Sequence, residues 1–314
     1  MLQSIPNGHD PHHIETRRNS IGSLTASLSD GKIHLLLGCS GSVATIKLPN
    51  IIQALSKYPS SRLSIRVVLT HSASQFLAGQ SKEQPTVSAI SSLPNVDAQY
   101  VDADEWRVPW VRGSGILHIE LRRWADVFVI APLSANTMAK IVGGFSDSLL
   151  TSVVRAWDPW RELDAPNTTA STSTTSDTGC ATATDTATQE KPGATDSRRL
   201  QKRNLIVAPA MNTAMWRNPI TAKHISVLEG WGVQSSSSSS SASTAKTGDQ
   251  AAAAEAQDPD PSSSAASSQG GGGGWFEVLR PQSKVLACGD AGDGAMIEWT
   301  NIVKVIEKRV GLAA

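Results

Sequence analysis

The sequence predicts an α/β protein whose core is a doubly wound parallel sheet, and two observations support that fold class. Near-continuous apolar runs rich in Val, Ile and Leu recur along the chain, and each is followed by a stretch with the spacing of a helix. A strand that is apolar along its whole length is typical of a parallel sheet covered by helices on both faces. We therefore expect strands and helices to alternate within a single domain.

The first part of the chain contains two predicted strands. The run KIHLLLGC (32–39) is strongly apolar, and RLSIRVVLT (62–70) is rich in β-branched residues. Residues 43–57 between them have helical spacing, and a short helix is expected around ASQFLAGQ (73–80). Together these segments predict two successive strand–helix units.

The later part of the chain repeats this alternation. We expect strands at ADVFVIAP (125–132), NLIVAPAM (204–211) and FEVLRP (276–281). Helices are expected at 135–157, 218–232 and 300–310, the first of them broken or bent at Gly143-Gly144. Parallel strands place all of the loops that follow them at one edge of the sheet, which is where ligands bind in such folds.

Two low-complexity tracts interrupt the pattern. Residues 164–199 are rich in Ser, Thr and Ala, and residues 234–274 run through serine repeats into glycines. Neither tract carries enough apolar side chains to offset its conformational entropy, so we expect two disordered insertions in surface loops. Residues 1–30 are expected to be a disordered tail, which leaves one domain over 31–314.

Composition argues against several classes of function. The chain has 28 basic and 28 acidic residues, so no basic excess indicates a nucleic-acid or anionic-membrane partner. No apolar run approaches the ~20 residues of a transmembrane helix, and the first residues lack the apolar core of a secretory signal. Three cysteines, Cys39, Cys180 and Cys288, are too few for a disulfide framework, so the cytosol is the expected compartment.

Four loops after predicted strands carry hydroxyls and small residues: SGS (40–42), THSAS (70–74), LSANT (133–137) and AMNTAMW (210–216). Each loop alone is more typical of ordinary helix capping, but the convergence of four at one edge favours a cradle for a phosphate group. The G-x-G-x-x-G pattern is absent after the first strand, and no acidic residue ends the second. A nicotinamide dinucleotide is therefore disfavoured, and a mononucleotide fits better.

Two long motifs make the prediction specific. PAMNTAMW (209–216) and ACGDAGDGAM (287–296) occur together with GSVAT (41–45), LHIELRRWADVFVIAPLSANT (117–137) and NPIT (218–221). In these motifs and in their order, the sequence resembles the phosphopantothenoylcysteine decarboxylases of the flavin-dependent cysteine decarboxylase family. The resemblance covers nearly all of the expected ordered core, and it implies a Rossmann-like flavoprotein fold.

The resemblance also implies the ligands and the assembly. FMN is the implied cofactor, no metal is implied, and the implied partner is a second copy of the chain within a homotrimer whose sites lie between subunits. The implied reaction removes carbon dioxide from the cysteine carboxylate of 4′-phosphopantothenoylcysteine and gives 4′-phosphopantetheine. The residues expected to hold the flavin are Gly41, Ser42, Val43, Thr70, Ser72, Ser134, Ala135, Asn136, Thr137 and Ala210.

Three side chains are expected to carry the chemistry. His118 matches the family's active-site histidine, expected to act as a base or on the carboxylate, against the alternative of a histidine packed at a helix start. Asn212 would grip the substrate through its amide, and it could cap a helix at the same time. Cys288 follows as the proton donor, because a thiol of ordinary pKa, ~8.5, at the root of a glycine-rich flap can protonate an intermediate once water is excluded.

Substrate contacts beyond these three are expected from Arg123 and Met215. An arginine suits the substrate phosphate, and a methionine would line the channel together with Met211. A solvated helix face is the alternative for Arg122 and Arg123, and core packing is the alternative for the methionines.

Two other functions remain open on this sequence. Some relatives of this fold are inhibitory subunits of a protein phosphatase or partner-dependent subunits, and they typically lack one of the three chemical residues or carry an acidic tail. The presence of His118, Asn212 and Cys288, and of KRVGLAA at the end of the sequence, favours the self-sufficient enzyme. A peptide with a C-terminal cysteine is a further possible substrate, disfavoured by the close HIELRRWAD match.

Overall fold

The computed structural model describes residues 19–163, 203–232, 274–285 and 291–312. The strands, in chain order, are β1 (Ile33–Cys39), β2 (Leu63–Leu69), β3 (Ala78–Ser81), β4 (Gln84–Thr86), β5 (Val96–Val101), β6 (Val127–Leu133), β7 (Asn204–Pro209), β8 (Phe276–Val278), β9 (Gln282–Val285) and β10 (Ala291–Ala295).

The helices, in the same order, are α1 (Ile21–Ser27), α2 (Leu48–Leu55), α3 (His71–Ser74), α4 (Val87–Ile90), α5 (Leu117–Trp124), α6 (Ala135–Val142), α7 (Leu149–Arg155), α8 (Thr213–Arg217), α9 (Pro219–Gly230) and α10 (Trp299–Arg309). Short 3-10 helices occupy Val43–Lys47 and Asp102–Asp104.

Six strands form a central sheet in the order β5-β2-β1-β6-β7-β8, and every neighbouring pair is parallel. Counted along the chain, this order is 3-2-1-4-5-6, the Rossmann arrangement of doubly wound sheets. The predicted fold class is therefore confirmed. Two small antiparallel pairs, β3 with β4 and β9 with β10, lie outside this sheet.

Helices cover both faces of the sheet, because its central strands are apolar on both sides. Strands β1, β2 and β6 are buried at every position. Leu35 and Leu37 pack in one cluster with Ile51 of α2 and Ile302 of α10. Leu36 packs on the opposite face, in a second cluster that includes apolar residues of α5, α6 and α7. Continuous apolar strands thus reflect burial from both sides.

Several predicted elements differ in detail from those observed. The helix expected over 43–57 starts as a 3-10 turn and becomes α-helical at Leu48, with Pro49 in its first turn, where a missing N–H costs nothing. The helix expected around 73–80 is wrong, because α3 ends at Ser74 and β3 follows. The predicted break at Gly143-Gly144 is observed, with Gly144 at φ +74° separating α6 from α7.

The tail expected over 1–30 is ordered in its described part. Ser20 caps α1 by accepting a hydrogen bond from the Ser23 amide, and Leu24 is fully buried in the core. One buried leucine and one capping serine are too few to distinguish this short helix from a polar tail in the sequence. The insertions 164–199 and 234–274 lie outside the described residues, as do Cys180 and Cys288. Within the described ranges, no helix combines the length and apolarity needed to cross a bilayer.

Candidate functional site

The candidate site lies where the strand order reverses, between β1 and β6. The two strand ends are linked through Ser40: its amide donates to Pro132 O over 3.1 Å, and its Oγ accepts from the Ser134 amide over 2.7 Å. The loops that follow β1 and β6 therefore diverge from a fixed point. Such a divergence leaves a crevice at the carboxyl edge of the sheet, where Rossmann folds bind nucleotides.

A cavity of about 610 Å³ opens at this edge. That volume lies within the usual range of small-molecule sites, roughly 300–1,000 Å³. Nine of the predicted site residues line it: Gly41, Ser42, Val43, Ser134, Ala135, Asn136, Ala210, Asn212 and Met215. Residues from three of the four predicted loops, those after β1, β6 and β7, therefore line one cavity.

The loop after β1 requires glycine at position 41. A Cβ there would lie 2.5 Å from Ser72 Oγ and 2.7 Å from Ser72 Cβ, closer than packed atoms approach. The β1 and β2 loops are thus in direct contact, and only backbone fits between them. Thr70 accepts a hydrogen bond from the Ala73 amide as the cap of α3, and its Oγ1 lies 3.3 Å from Ser72 Oγ. Thr70 and Ser72 therefore support the loop from behind.

The loop after β6 begins helix α6 at the cavity wall. Ser134 Oγ accepts from the Thr137 amide over 3.3 Å and donates to Thr137 Oγ1 over 3.2 Å. Ala135 and Asn136 line the cavity, whereas Thr137 is buried behind them. The amino end of a helix carries a partial positive charge, which favours an anionic group in this wall.

Asn212, in the loop after β7, has two tasks. Its Oδ1 accepts from the Met215 amide over 2.8 Å and so caps α8. The same side chain lines the cavity. Because the cap occupies Oδ1, the amide nitrogen Nδ2 is the group available to donate to a ligand. Both predicted roles of Asn212 are thus compatible in one geometry.

The end of β10 and the residues that follow it, 294–299, form one wall of the cavity. Gly294 has φ +103°, and a Cβ there would lie 2.7 Å from Met211 O, while its own carbonyl accepts from the Met211 amide over 2.9 Å. A Cβ on Gly292 would lie 2.4 Å from Thr213 Oγ1. These two glycines belong to the motif ACGDAGDGAM (287–296), here called the flap motif, and they allow close packing of β10 on the Asn212 loop. From the sequence, the same glycines were expected to make the loop mobile.

Besides Thr70, Ser72 and Thr137, which lie behind the wall, two residues expected to act on the substrate do not line this cavity. His118, near the start of α5, places Nδ1 2.9 Å from Glu105 Oε1. Arg123 donates to Glu120 Oε1 over 2.7 Å, and its side chain is 46% exposed. Arg122, for which a solvated face was the alternative, is buried and lies 3.5 Å from Asp158. The described part of one chain thus brings Asn212, but neither His118 nor Arg123, to the cavity.

Four charged or aromatic residues that line the cavity were not predicted from the sequence. Lys47 and Glu298 contribute opposite charges to the wall, and Phe76 and Trp299 contribute rings. Lys47 is only four residues beyond Val43, so its position in the turn after β1 was the available signal. Glu298 and Trp299 follow the flap motif directly and could have been found by extending it.

Cys39 lies beneath the site at the end of β1. It is fully buried, its Sγ donates to Ala131 O over 3.0 Å, and burial raises the pKa of its thiol. A thiol so held is a packing group rather than a proton donor. Cys288, which was expected to be the donor, lies outside the described residues.

A Rossmann-ordered sheet with small residues, a close glycine contact and a helix amino terminus at its switch point defines a nucleotide-binding α/β protein. The flavoprotein family model matches residues 23–164 and 195–259. The chain is 33% identical over 294 residues to the phosphopantothenoylcysteine decarboxylase of Arabidopsis thaliana, covering 93% of this chain and 92% of that protein. It belongs to the flavoprotein family, together with the phosphopantothenoylcysteine decarboxylases.

Fungal relatives are much longer than this chain. The chain is 32% identical to coenzyme A biosynthesis protein 3 of Saccharomyces cerevisiae over 90% of its own length, but spans 34% of that protein. It spans 30% of a relative from Schizosaccharomyces pombe. The similarity thus concerns about a third of either fungal protein.

Solved structures agree with this assignment. The chain is similar to a PPC decarboxylase, a cysteine-to-serine mutant complexed with pantothenoylaminoethenethiol, with a TM-score of 0.53 and 30% identity, covering 88% of this chain and 97% of that one. It is similar to the FMN binding protein AtHal3 with a TM-score of 0.52 and 31% identity, covering 90% and 99%.

Proposed function

We propose that this chain catalyses the FMN-dependent decarboxylation of 4′-phosphopantothenoylcysteine to 4′-phosphopantetheine, a step of coenzyme A biosynthesis. The observation that carries the proposal is the cavity at the switch point, where Asn212 faces the loops after β1 and β6 and the wall that ends in the flap motif. The names of the plant and yeast relatives support the substrate.

FMN is the cofactor, and the residues present fit it. The glycine contact at position 41 lets backbone approach a phosphate, and the amino end of α6 supplies partial positive charge. Gly41, Ser42, Val43, Ser134, Ala135, Asn136 and Ala210 would hold it, with Thr70, Ser72 and Thr137 bracing their loops. When bound, FMN supplies reversible two-electron chemistry at the substrate thiol, which a cysteine carboxylate needs in order to lose carbon dioxide.

The chain's own groups would bind, orient and move protons. Asn212 Nδ2 donates to a carboxylate or amide oxygen of the substrate, and Met215 packs against its apolar part. Lys47 attracts an anionic substrate into the cavity, while Arg123 remains the proposed contact of the phosphate. His118 takes a proton from the substrate, and Cys288 donates one to the intermediate that remains after carbon dioxide has left.

A homotrimer with sites between subunits accounts for the position of His118. This residue does not line the cavity of its own chain, although the chemistry requires it near Asn212. In the proposed assembly, His118 and Arg123 reach the cavity of a neighbouring copy. We place the enzyme in the cytosol, because the phosphorylated intermediates of coenzyme A synthesis are anions that do not cross membranes unaided.

The alternative is a regulatory or partner-dependent subunit that acts on a protein phosphatase. The similarity to a solved HAL3 structure from Cryptococcus neoformans, with 28% identity and a TM-score of 0.51, supports this alternative. Asn212 at the cavity and His118 in the chain favour the enzyme, because a purely regulatory surface needs neither.

The deciding experiment measures carbon dioxide release from 4′-phosphopantothenoylcysteine together with bound-flavin absorbance. We expect yellow protein with turnover that is lost in Cys288→Ser. The matched control is Cys180→Ser, which removes a thiol from the Ser/Thr-rich tract and leaves turnover intact. Yellow wild-type protein without turnover would contradict the enzyme, and phosphatase inhibition by the same sample would then establish the alternative.

A further inference from the structure

A buried carboxylate contacts the imidazole of His118. Nδ1 of His118 lies 2.9 Å from Glu105 Oε1, and the side chains are 24% and 5% exposed, respectively. An ionised carboxylate can only accept hydrogen bonds, so this contact requires the proton of the neutral ring to be on Nδ1. Nε2 is then the nitrogen that offers a lone pair to a substrate.

Glu105 is held firmly by the turn that precedes it. The 3-10 helix Asp102–Asp104 follows β5, and Asp102 accepts from the Leu149 amide over 3.0 Å and from the His71 amide over 3.3 Å. Asp104 accepts from the Val101 amide over 2.8 Å. The turn is thereby tied to the starts of α7 and α3 and to the end of β5, which fixes the carboxylate relative to the sheet.

The second oxygen of this carboxylate has no partner of its own. Glu105 Oε2 is buried and has no hydrogen-bond partner within the described part of the chain. Among the described residues, the contact of Oε1 with His118 Nδ1 is therefore the one hydrogen bond found for this carboxylate. Burying a carboxylate with so little compensation is costly for the fold, and its one contact is with the imidazole.

We propose that Glu105 is the positioning residue of His118. It orients the ring through Nδ1–H, selects the tautomer with a free Nε2, and stabilises the imidazolium that forms when Nε2 takes a proton from the substrate. The proton moves from substrate to Nε2 and is not passed on to Glu105. The proposal rests on the proposed function for the identity of the substrate, while the tautomer is a property of the protein alone.

The test records ¹⁵N chemical shifts of the histidine rings in the ¹⁵N-histidine-labelled holoenzyme, with His118 assigned by its loss in His118→Gln. At about pH 8.5, well above the ordinary histidine pKa, we expect the proton on Nδ1 in the wild type and a shift toward Nε2–H in Glu105→Gln. In the same variant kcat should fall on the order of 10- to 1,000-fold with KM within about threefold, and Glu105→Asp should recover part of the loss.

The matched control is Glu307→Gln, which neutralises another poorly exposed carboxylate that pairs with Lys57, far along the chain on α10. It should change neither the His118 tautomer nor kcat. A wild-type ring with its proton on Nε2, or Glu105→Gln with unchanged tautomer and kcat, would overturn the proposal. The wild-type spectrum decides even if Glu105→Gln does not fold. If the tautomer behaves as expected and the wild type releases no carbon dioxide, the proposed function fails and the positioning role stands.

Discussion

At the scale of single residues, Asn212 joins structure and chemistry in one side chain. Its Oδ1 caps α8 and its position in the cavity wall leaves Nδ2 for the substrate. Aspartate caps helices as well as asparagine does, but it cannot donate a hydrogen bond when ionised. We therefore expect Asn212→Asp to keep the thermal midpoint within a few degrees while kcat/KM falls at least ~100-fold. Asn212→Ala should lose both properties; an Asp variant with wild-type turnover would contradict the donor role.

Gly41 allows a second test at the scale of single residues, because adding one carbon atom at this position would produce a steric clash in the proposed flavin site. Gly41→Ala would place a Cβ 2.5 Å from Ser72 Oγ and force the loop apart. We expect the purified variant to lose most of its bound-flavin absorbance. The double variant Gly41→Ala/Ser72→Gly should regain part of this absorbance, because the opposing side chain has been removed. Gly230→Ala is the control, since no atom lies within 4 Å of its Cβ position. Unchanged flavin in Gly41→Ala would refute the cradle.

Lys47 is the third residue whose role can be separated, because it lines the cavity as a cation. A charge that attracts an anionic substrate acts mainly on binding, so Lys47→Gln should raise KM about 10-fold with a smaller change in kcat. The control is Lys57→Gln, which removes an exposed lysine paired with Glu307 away from the cavity. Equal effects of the two substitutions on KM would show that the contribution of Lys47 is not local.

At the scale of elements, the sequence was informative wherever burial on both faces left a continuous apolar run. Strands β1, β2, β6 and β7 follow the predicted segments because each is enclosed by helices. Edge strand β5 was missed, since Asp97 and Gln99 interrupt its apolar residues. The loops of the site were predictable because strand ends are local signals. The separation of His118 from the cavity was not, because it depends on how α5 packs.

The hairpin of β9 and β10 has one carboxylate that pairs with helix α8, and we expect this carboxylate to help hold the hairpin in place. Asp293 accepts from the Ser283 hydroxyl and lies 3.4 Å from Arg217 of α8, and these contacts hold its pKa below the ordinary value. The ionised form is therefore favoured in the docked state, and this contribution is present above the ordinary Asp pKa of about 3.9 and is lost as the pH falls through the lowered value.

Hydrogen exchange can test this pH dependence. Protection of the Met211 amide, which donates to Gly294, should decline below about pH 4 in the wild type. In Asp293→Asn it should already be reduced near neutrality. Asp147→Asn, which removes a carboxylate paired with Lys140, is the control and should leave the amide protected. Equal protection in wild type and Asp293→Asn at all pH values would show that Asp293 does not hold the hairpin.

At the scale of the whole molecule, the proposed homotrimer would assemble its site from two surfaces of the described fold. The cavity with Asn212 lies at the carboxyl edge of the sheet, and His118 with Glu105 lies beside a cluster of exposed apolar side chains that includes Trp106, Val108 and Trp110. Large exposed apolar residues of this kind are typical of surfaces that contact another protein. A neighbouring copy that covers this cluster would complete the site of the proposed homotrimer.

Mixed assemblies test that arrangement directly. His118→Asn and Asn212→Asp should each be inactive alone, but co-expressed they should form sites in which a wild-type His118 of one copy meets a wild-type Asn212 of another. If copies mix at random and each site takes one residue from each of two subunits, about one site in four is intact, so activity should recover to roughly a quarter of the wild-type value. Co-expression of His118→Asn with His118→Gln is the control, because no combination restores the histidine. If each site were contained within one chain, neither mixture would recover activity. Recovery in the first mixture but not in the control would therefore show that the site is shared between subunits.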